Sequence, residues 1–138
     1  MISFKEYIAE AKFNDYEALA SKFTKMFKTY ELNKVRTMSV PALGKVDVYE
    51  LVLDTSSARY KMTVRRTPIK GEKYTHFYSV KSFINMNTSE DFITKELHIP
   101  EVVNMYVQLE SFLKTITKDP SEATIKSALK SLKLHASI

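Results

Sequence analysis

The chain has no cysteine, only two glycines and no long apolar run. Without cysteine, disulfides, thiolate metal sites and cysteine nucleophiles are excluded. A helix that spans a bilayer needs roughly 18–20 apolar residues, so we expect no membrane partner. Neither Gly44 nor Gly71 opens a phosphate-binding loop before a helix. These absences exclude several classes of enzyme and membrane protein.

The sequence also lacks a grouping of catalytic or metal-binding side chains. Its three histidines, His76, His98 and His135, are scattered and have no acidic partner at the spacing of metal ligands. No Gly-x-Ser-x-Gly motif is present. Glu90 and Asp91 are adjacent, so on a helix their carboxylates would diverge. We therefore expect a protein that is not an enzyme and that holds no metal or other cofactor.

The size and charge of the chain indicate a single basic domain. A chain of 138 residues, 44% of them hydrophobic, can bury a core without covalent crosslinks. The formal net charge is +5. A modest positive charge favours contact with DNA or other anions, although it does not establish binding.

Helical periodicity marks the beginning of the chain. Two apolar stripes with different phases lie in residues 1–11 and 16–30. Between them, Asn14 and Glu17 have the spacing of a capping box, which predicts that a new helix begins there. The first stripe consists of Phe4, Tyr7, Ile8 and Ala11. One long helix with a kink near residue 13 is the alternative.

Residues 34–86 are rich in β-branched and aromatic side chains and alternate with a period of two. The predicted strands are 34–40, 45–53, 59–67 and 73–83. Because the gaps between them are short, consecutive strands should pair as an antiparallel meander. The sequence therefore predicts an α+β domain at residues 11–138, in which a four-stranded antiparallel meander is flanked by N-terminal and C-terminal helices. In this two-layer fold, helices cover one face of the sheet, and the other face of the sheet is partly exposed.

Three helices are predicted after the strands. A capping box of Thr88 and Asp91 predicts a short helix at about 89–97. Pro100 suits the first turn of the next helix. Before the last helix, Asp119 is predicted as the N-cap, with Pro120 as its first residue and Glu122 at its third position.

Two basic features are candidates for a nucleic-acid or partner face. Arg59, Lys61 and Arg65 project from one side of the third strand, and the fourth strand carries Tyr74, His76 and Tyr78 on one side. Side by side, these rows could neutralise phosphates and stack on bases. The last helix adds Lys126 and Lys130, four residues apart, and Lys133. For both features the alternative is a solvated face that keeps the protein soluble.

The N-terminal segment runs from Met1 to Ala11 and contains Ile8-Ala9-Glu10 followed by a small residue. This segment resembles the capsid-targeting leader of internal head proteins from T-even-type tailed phages. In that family, a phage protease cuts after the Glu of an apolar-x-Glu triplet. Ile8, Glu10 and Ala11 match the pattern, so the resemblance implies cleavage after Glu10 and a leader of residues 1–10. Cleavage would raise the formal net charge by one, because Lys5, Glu6 and Glu10 would be removed.

The resemblance implies a virion-associated protein whose partners are the prohead scaffold and protease. It further implies a location inside the phage head beside packaged DNA, and in the host cytoplasm during infection. There the protein would bind DNA or inhibit a host defence enzyme. Two alternatives remain open from the residues. One is an uncleaved structural or assembly protein that docks through Phe4, Tyr7 and Ile8, and the other is a small nucleic-acid-binding regulator.

Overall fold

A computed structural model describes residues 16–68 and 76–136 of the chain. Within these ranges, three helices pack against one antiparallel sheet, which confirms the predicted α+β class. The elements in chain order are α1 (Tyr16–Thr29), β1 (Asn33–Val40), β2 (Gly44–Asp54), β3 (Arg59–Pro68), β4 (His76–Asn85), β5 (Glu90–Asp91), β6 (Leu97–His98), α2 (Val102–Lys118) and α3 (Glu122–His135). The predicted leader, the capping residue Asn14 and Tyr74 lie outside the described residues.

Helix α1 buries one side and ends in a left-handed turn. Phe23, Met26 and Phe27 are its buried residues. At the C-terminus, the Glu31 backbone has φ of 61°, and the Leu32 N–H donates to the Phe27 carbonyl at 2.8 Å. This is a Schellman motif, in which glycine usually occupies the left-handed position. Glutamate at this position therefore adds backbone strain.

The four long strands pair in the predicted order, β1-β2-β3-β4, all antiparallel. Gly44 begins β2 with φ of +89°, a backbone conformation that residues with a side chain rarely adopt. At the β2–β3 turn, the Thr55 hydroxyl accepts from the Ala58 N–H at 2.9 Å and donates to the Ala58 carbonyl at 2.8 Å. Polar turn residues thus make the local hydrogen bonds that reverse the chain.

The predicted helix at 89–97 is wrong, because this segment forms β5 and β6 on the edge of β4. The Asp91 carboxylate accepts from the backbone N–H groups of Phe83 at 3.1 Å and Ile93 at 2.9 Å. Ser89 has a left-handed φ of 64°, which a helix does not accommodate. The carboxylate therefore ties the segment to β4 instead of capping a helix.

The last two helices begin two residues later than predicted. Pro100 precedes the N-cap of α2, which is Glu101. The N-cap of α3 is Ser121, whose side chain accepts from the Thr124 N–H, so Glu122 is the first helical residue. Asp119 instead caps the C-terminus of α2, and its carboxylate accepts from the Thr124 hydroxyl at 2.7 Å. None of the helices within the described ranges is long and apolar enough to cross a membrane.

The core lies between the helices and one face of the sheet. The sheet contributes Met62, Val64 and Phe83 to it, and Phe83 meets the Phe112 ring of α2 edge-on at 5.9 Å. Leu109 at the centre of α2 is 0% exposed. One contiguous cluster therefore joins the helices to β2, β3 and β4.

The second face of the sheet is open at one end and covered at the other. Paired residues share a face, so Val48, opposite Arg65, points away from Leu51 and Met62 in the core. Val46 and Val48 are nevertheless only 0% and 1% exposed. Val52, on the same side farther along β2, is 49% exposed. The Val52 end of this face is therefore open to solvent.

Candidate nucleic-acid interface

The two rows predicted to form one nucleic-acid face lie on opposite faces of the sheet. Arg65 pairs with Ser79, whereas Tyr78 pairs with Arg66. Because side chains alternate along a strand, Tyr78 and His76 lie on the helix-covered side with Arg66. Arg59, Lys61 and Arg65 lie on the other side. The prediction that the two rows share one face is therefore wrong. It depended on the β3–β4 register, which the alternation of side chains alone does not specify.

Tyr78 is a core residue, so it is not available to stack on a base. Its ring stacks on Phe23 at 3.8 Å between centroids, and the side chain is 3% exposed. Burial raises the pKa of Tyr78 to about 12, although the Arg66 charge acts in the opposite direction. His76 is partly buried beside the same arginine, and burial followed by the Arg66 charge lowers the pKa of His76. The neutral imidazole adds no charge to a phosphate site at pH 7.

Arg66 belongs to a structural ion cluster at this end of the sheet. Its Nη2 atom donates to the Asp47 carboxylate at 2.9 Å. The same carboxylate accepts from the Thr37 hydroxyl at 2.8 Å. Lys34 Nζ lies 3.5 Å from the same carboxylate. Burial raises the pKa of Asp47, but these hydrogen bonds and cations outweigh it, so the pKa lies below its ordinary value. These charges are largely satisfied within the protein.

Two of the three cations in the basic row of β3 are also paired. Arg59 Nε donates to the exposed Asp54 carboxylate at 2.6 Å. Arg65 makes a two-bond pair with Glu96, at 2.8 Å from Nε and 2.7 Å from Nη2. Only Lys61, between Val52 and Ile84 in the pairing, forms no ion pair within the described residues. The row is thus a weaker phosphate site than its sequence predicts.

The α3 stripe, formed by Lys126, Lys130 and Lys133, places three cations around one concave surface. Their spacing of i, i+4 and i+7 places them on one flank of α3. The rise of an α-helix spreads them over about 10 Å. That length matches the rise of about three nucleotides along one DNA strand. The stripe can therefore contact successive phosphates.

Phe92 forms the floor of this site. Lys126 Nζ lies 5.6 Å from the centre of its ring, and Lys133 Nζ donates to its carbonyl at 2.7 Å. Together with Leu129, these residues and Lys130 line a depression of about 240 Å³. Among the residues that the structure describes, the exposed Glu122 is the one carboxylate in an ion pair with the stripe. It lies 3.6 Å from Lys126 Nζ, and such a pair contributes at most about 1 kcal/mol.

The sequence identified the lysines but missed Phe92. The phenylalanine is positioned by its backbone N–H, which donates to the Phe83 carbonyl at 2.9 Å, and by ring contacts with Tyr60 and Phe83. These contacts depend on β5, where the sequence predicts a helix. No signal near Phe92 in the sequence indicates that it meets α3.

The arrangement is suited to binding anions. The lysines supply positive charge, and the Phe92 ring supplies an apolar surface. Within the described ranges, no group of three or more histidines or acidic residues could hold a metal ion. A second depression, of about 420 Å³ between α2 and α3, is lined by uncharged residues such as Ser111, Thr115 and Ser127.

The comparisons with known proteins give no further identification. Protein-family models, curated proteins and solved structures yield no match for this chain.

Proposed function

We propose that the protein is an internal head protein of a tailed phage. Residues 1–10 direct it into the prohead, the phage protease cuts after Glu10, and residues 11–138 remain beside the packaged DNA. The Ile8-x-Glu10-Ala11 pattern supports the location and the processing. The domain acts by binding, and its DNA contact is made through phosphates instead of base edges.

The α3 stripe is the observation that carries the proposed DNA contact. Lys130 is exposed and forms no ion pair within the described residues, and Lys126 has only the 3.6 Å contact with Glu122. Ammonium groups on a flank of a helix can approach a duplex without a pocket for a base. We expect weak binding that is independent of sequence, because lysine contacts with phosphate carry no sequence information.

A salt titration of binding to duplex DNA tests this contact. Each phosphate contact contributes about 0.9 to the slope of log affinity against log salt. Replacing all three stripe lysines with glutamine should therefore reduce the slope by about 2.7. Between 50 and 200 mM salt, that difference corresponds to roughly 40-fold in affinity.

A matched variant separates the stripe from net charge. Lys45→Gln, Lys114→Gln and Lys118→Gln together remove the same charge from exposed positions outside α3. This control variant should keep most of the salt slope of the wild type. Equal losses in the two triple variants would mean that total charge, and not the stripe, determines binding. Undetectable binding by the wild type at 50 mM salt would reject the DNA contact.

A further inference from the structure

The covered end of the second sheet face carries a largely apolar surface, which we call the β-face patch. It consists of side chains from the four long strands: Met38, Val46, Val48, Thr67 and Phe77. Met38 pairs with Val46, and Thr67 pairs with Phe77, so each of these pairs shares a face. Alternation along the strands places Val46 beside Val48, and Thr67 on the side of Arg65. The patch therefore extends from β1 to β4.

The centre of the β-face patch is buried more deeply than a sheet face in water. Val46 and Thr67 are 0% and 1% exposed. Val46 and Val48 do not belong to the hydrophobic cluster that joins the helices to the other face. Arg65, which pairs with Val48, directs its guanidinium to Glu96 on the β4 side of the row, away from β2. The burial of the two valines therefore requires a further segment of chain over the patch.

Helix α1 leads the chain to the β4 edge of the sheet. Phe27 contacts Tyr49 in β2 and Tyr78 in β4. Phe23, one turn earlier, stacks on Tyr78 at 3.8 Å between ring centroids. The helix therefore runs toward β4 in its N-terminal direction, and its first residue, Tyr16, lies about 10 Å beyond Phe23. Because neighbouring strands are only about 4.8 Å apart, the residues before Tyr16 start close to the edge from which the second face is reached.

The apolar stripe in residues 1–11 fits the β-face patch in chemistry and in length. Phe4, Tyr7 and Ile8 have the spacing of one helical face, and such a face is stable in water only against another apolar surface. Eleven helical residues are about 16 Å long. The three strand spacings between Met38 and Phe77 amount to about 14 Å. A helix laid across the strands would therefore cover the patch from β1 to β4.

The β3–β4 connection is less suited to this role. Residues 69–75 contain Ile69 and Tyr74 among three charged residues and a glycine. They form no apolar stripe with helical spacing. Seven residues of this composition offer less apolar surface than the stripe at the N-terminus.

We propose that the leader docks on the β-face patch through Phe4, Tyr7 and Ile8, so that cleavage after Glu10 uncovers an apolar surface of the domain. The docking stands on the burial of the patch and the periodicity of the leader, whereas the uncovering rests on the proposed cleavage. While the chain is intact, its covalent connection holds the leader near the patch at high effective concentration. The cut removes that advantage, and the released peptide is lost by dilution. The uncovered patch is then a surface for contact with another protein, as large exposed apolar patches commonly are.

Thiol reactivity in the full-length chain tests the docking. The protein has no cysteine, so one introduced thiol reports on one position. Val48→Cys should react with iodoacetamide about tenfold more slowly than Val52→Cys, which lies at the open end of the same face. Adding Phe4→Ser and Ile8→Ser to Val48→Cys should raise its rate by about tenfold, because the weakened leader no longer shields the patch.

Two controls accompany this measurement. Adding Lys5→Ser and Glu6→Ser, which lie outside the apolar stripe, should leave Val48→Cys protected. Val64→Cys, at a position that is 0% exposed in the helical core, should stay protected when Phe4→Ser and Ile8→Ser are added. That result would show that the domain remains folded when the leader is released.

Paired cysteines identify the segment that covers the patch. Val48→Cys is combined in turn with Phe4→Cys, Tyr7→Cys and Ile8→Cys, and mild oxidation should give a disulfide within one chain for at least one pair, because disulfides form only between neighbouring residues. Val48→Cys combined with Ile69→Cys should give none. This experiment also decides the outcome if Phe4→Ser and Ile8→Ser unfold the domain.

Three results would overturn the docking. One is that none of the three leader pairs forms a disulfide. Another is that the disulfide joins two chains, which would mean that a second copy covers the patch. The third is a disulfide with Ile69→Cys alone, which would assign the cover to the β3–β4 connection. None of these results depends on the protease, so an intact leader in mature virions would reject the proposed cleavage and leave the docking in place.

Discussion

The pair between Arg65 and Glu96 should stabilise the fold without contributing to DNA binding. The Arg65 and Glu96 side chains are 21% and 32% exposed, and the carboxylate also accepts from the Ser79 hydroxyl at 2.7 Å. Partly exposed ion pairs contribute up to about 1 kcal/mol, and a neutral hydrogen bond about as much. Because glutamine retains part of the hydrogen bonding, Glu96→Gln should lower the free energy of unfolding by about 1 kcal/mol at pH 7.

The stability difference between wild type and Glu96→Gln should depend on pH, and the direction of the Glu96 pKa shift determines how. Burial raises the pKa of Glu96, but the hydrogen bonds from Arg65 and Ser79 and the Arg65 charge outweigh it, so the folded-state pKa lies below the ordinary 4.5. A carboxyl with a lowered pKa stabilises the fold above its unfolded pKa, and the contribution is lost as the pH falls through the folded pKa. The difference between wild type and Glu96→Gln should therefore be constant from pH 7 to about 5 and disappear in more acidic solution.

Urea denaturation at several pH values measures this difference, and duplex binding by the same variants provides the second readout. Arg65→Gln should lose a similar amount of stability and keep its DNA affinity within about twofold, since Val48 beside it is covered. A stability difference that persists at pH 3 would refute the electrostatic reasoning. A larger loss of DNA affinity in Arg65→Gln would show that the β3 row contacts DNA.

Three further predictions concern stability and can be checked by chemical denaturation. Glu31→Gly should stabilise the protein by about 0.5–1 kcal/mol, because glycine has no side-chain penalty at the left-handed position; a loss of stability would contradict the Schellman motif. Gly44→Ala should destabilise it by about 1–2 kcal/mol, because φ is +89° there; a neutral result would mean that this φ is wrong. Leu109→Ala should cost about 2–5 kcal/mol at its fully buried position, and a cost below 1 kcal/mol would argue against the packing of α2.

Local patterns were sufficient to predict most of the architecture. The alternation in residues 34–67 and the short turns predicted β1, β2, β3 and their pairing, because these signals lie within each hairpin. The segment at 89–97 was mispredicted because the Asp91 carboxylate accepts from the Phe83 N–H of β4 as well as from Ile93 in its own segment. A hydrogen bond of that kind depends on tertiary structure and leaves no periodic trace in the sequence.

The candidate site was only partly predictable for a related reason. The spacing of Lys126 and Lys130 placed them on one flank of a helix, which is a local property. Which aromatic residue lies beside them depends on how α3 packs against the edge of β4. The face of Tyr78 depends on the register, and pairing shifts by a residue between Thr63 and Val64. A one-residue shift exchanges the two faces of a strand.

The N-terminus of the protein in purified virions is the most direct test of the proposed function. Mass spectrometry of digested mature particles should find a peptide that begins at Ala11, a position where the protease used for the digestion does not cut. It should find no peptide from residues 1–10. Substitution of Glu10 should block this cleavage. An intact Met1 terminus in mature particles, or absence of the protein from the particles, would contradict the account.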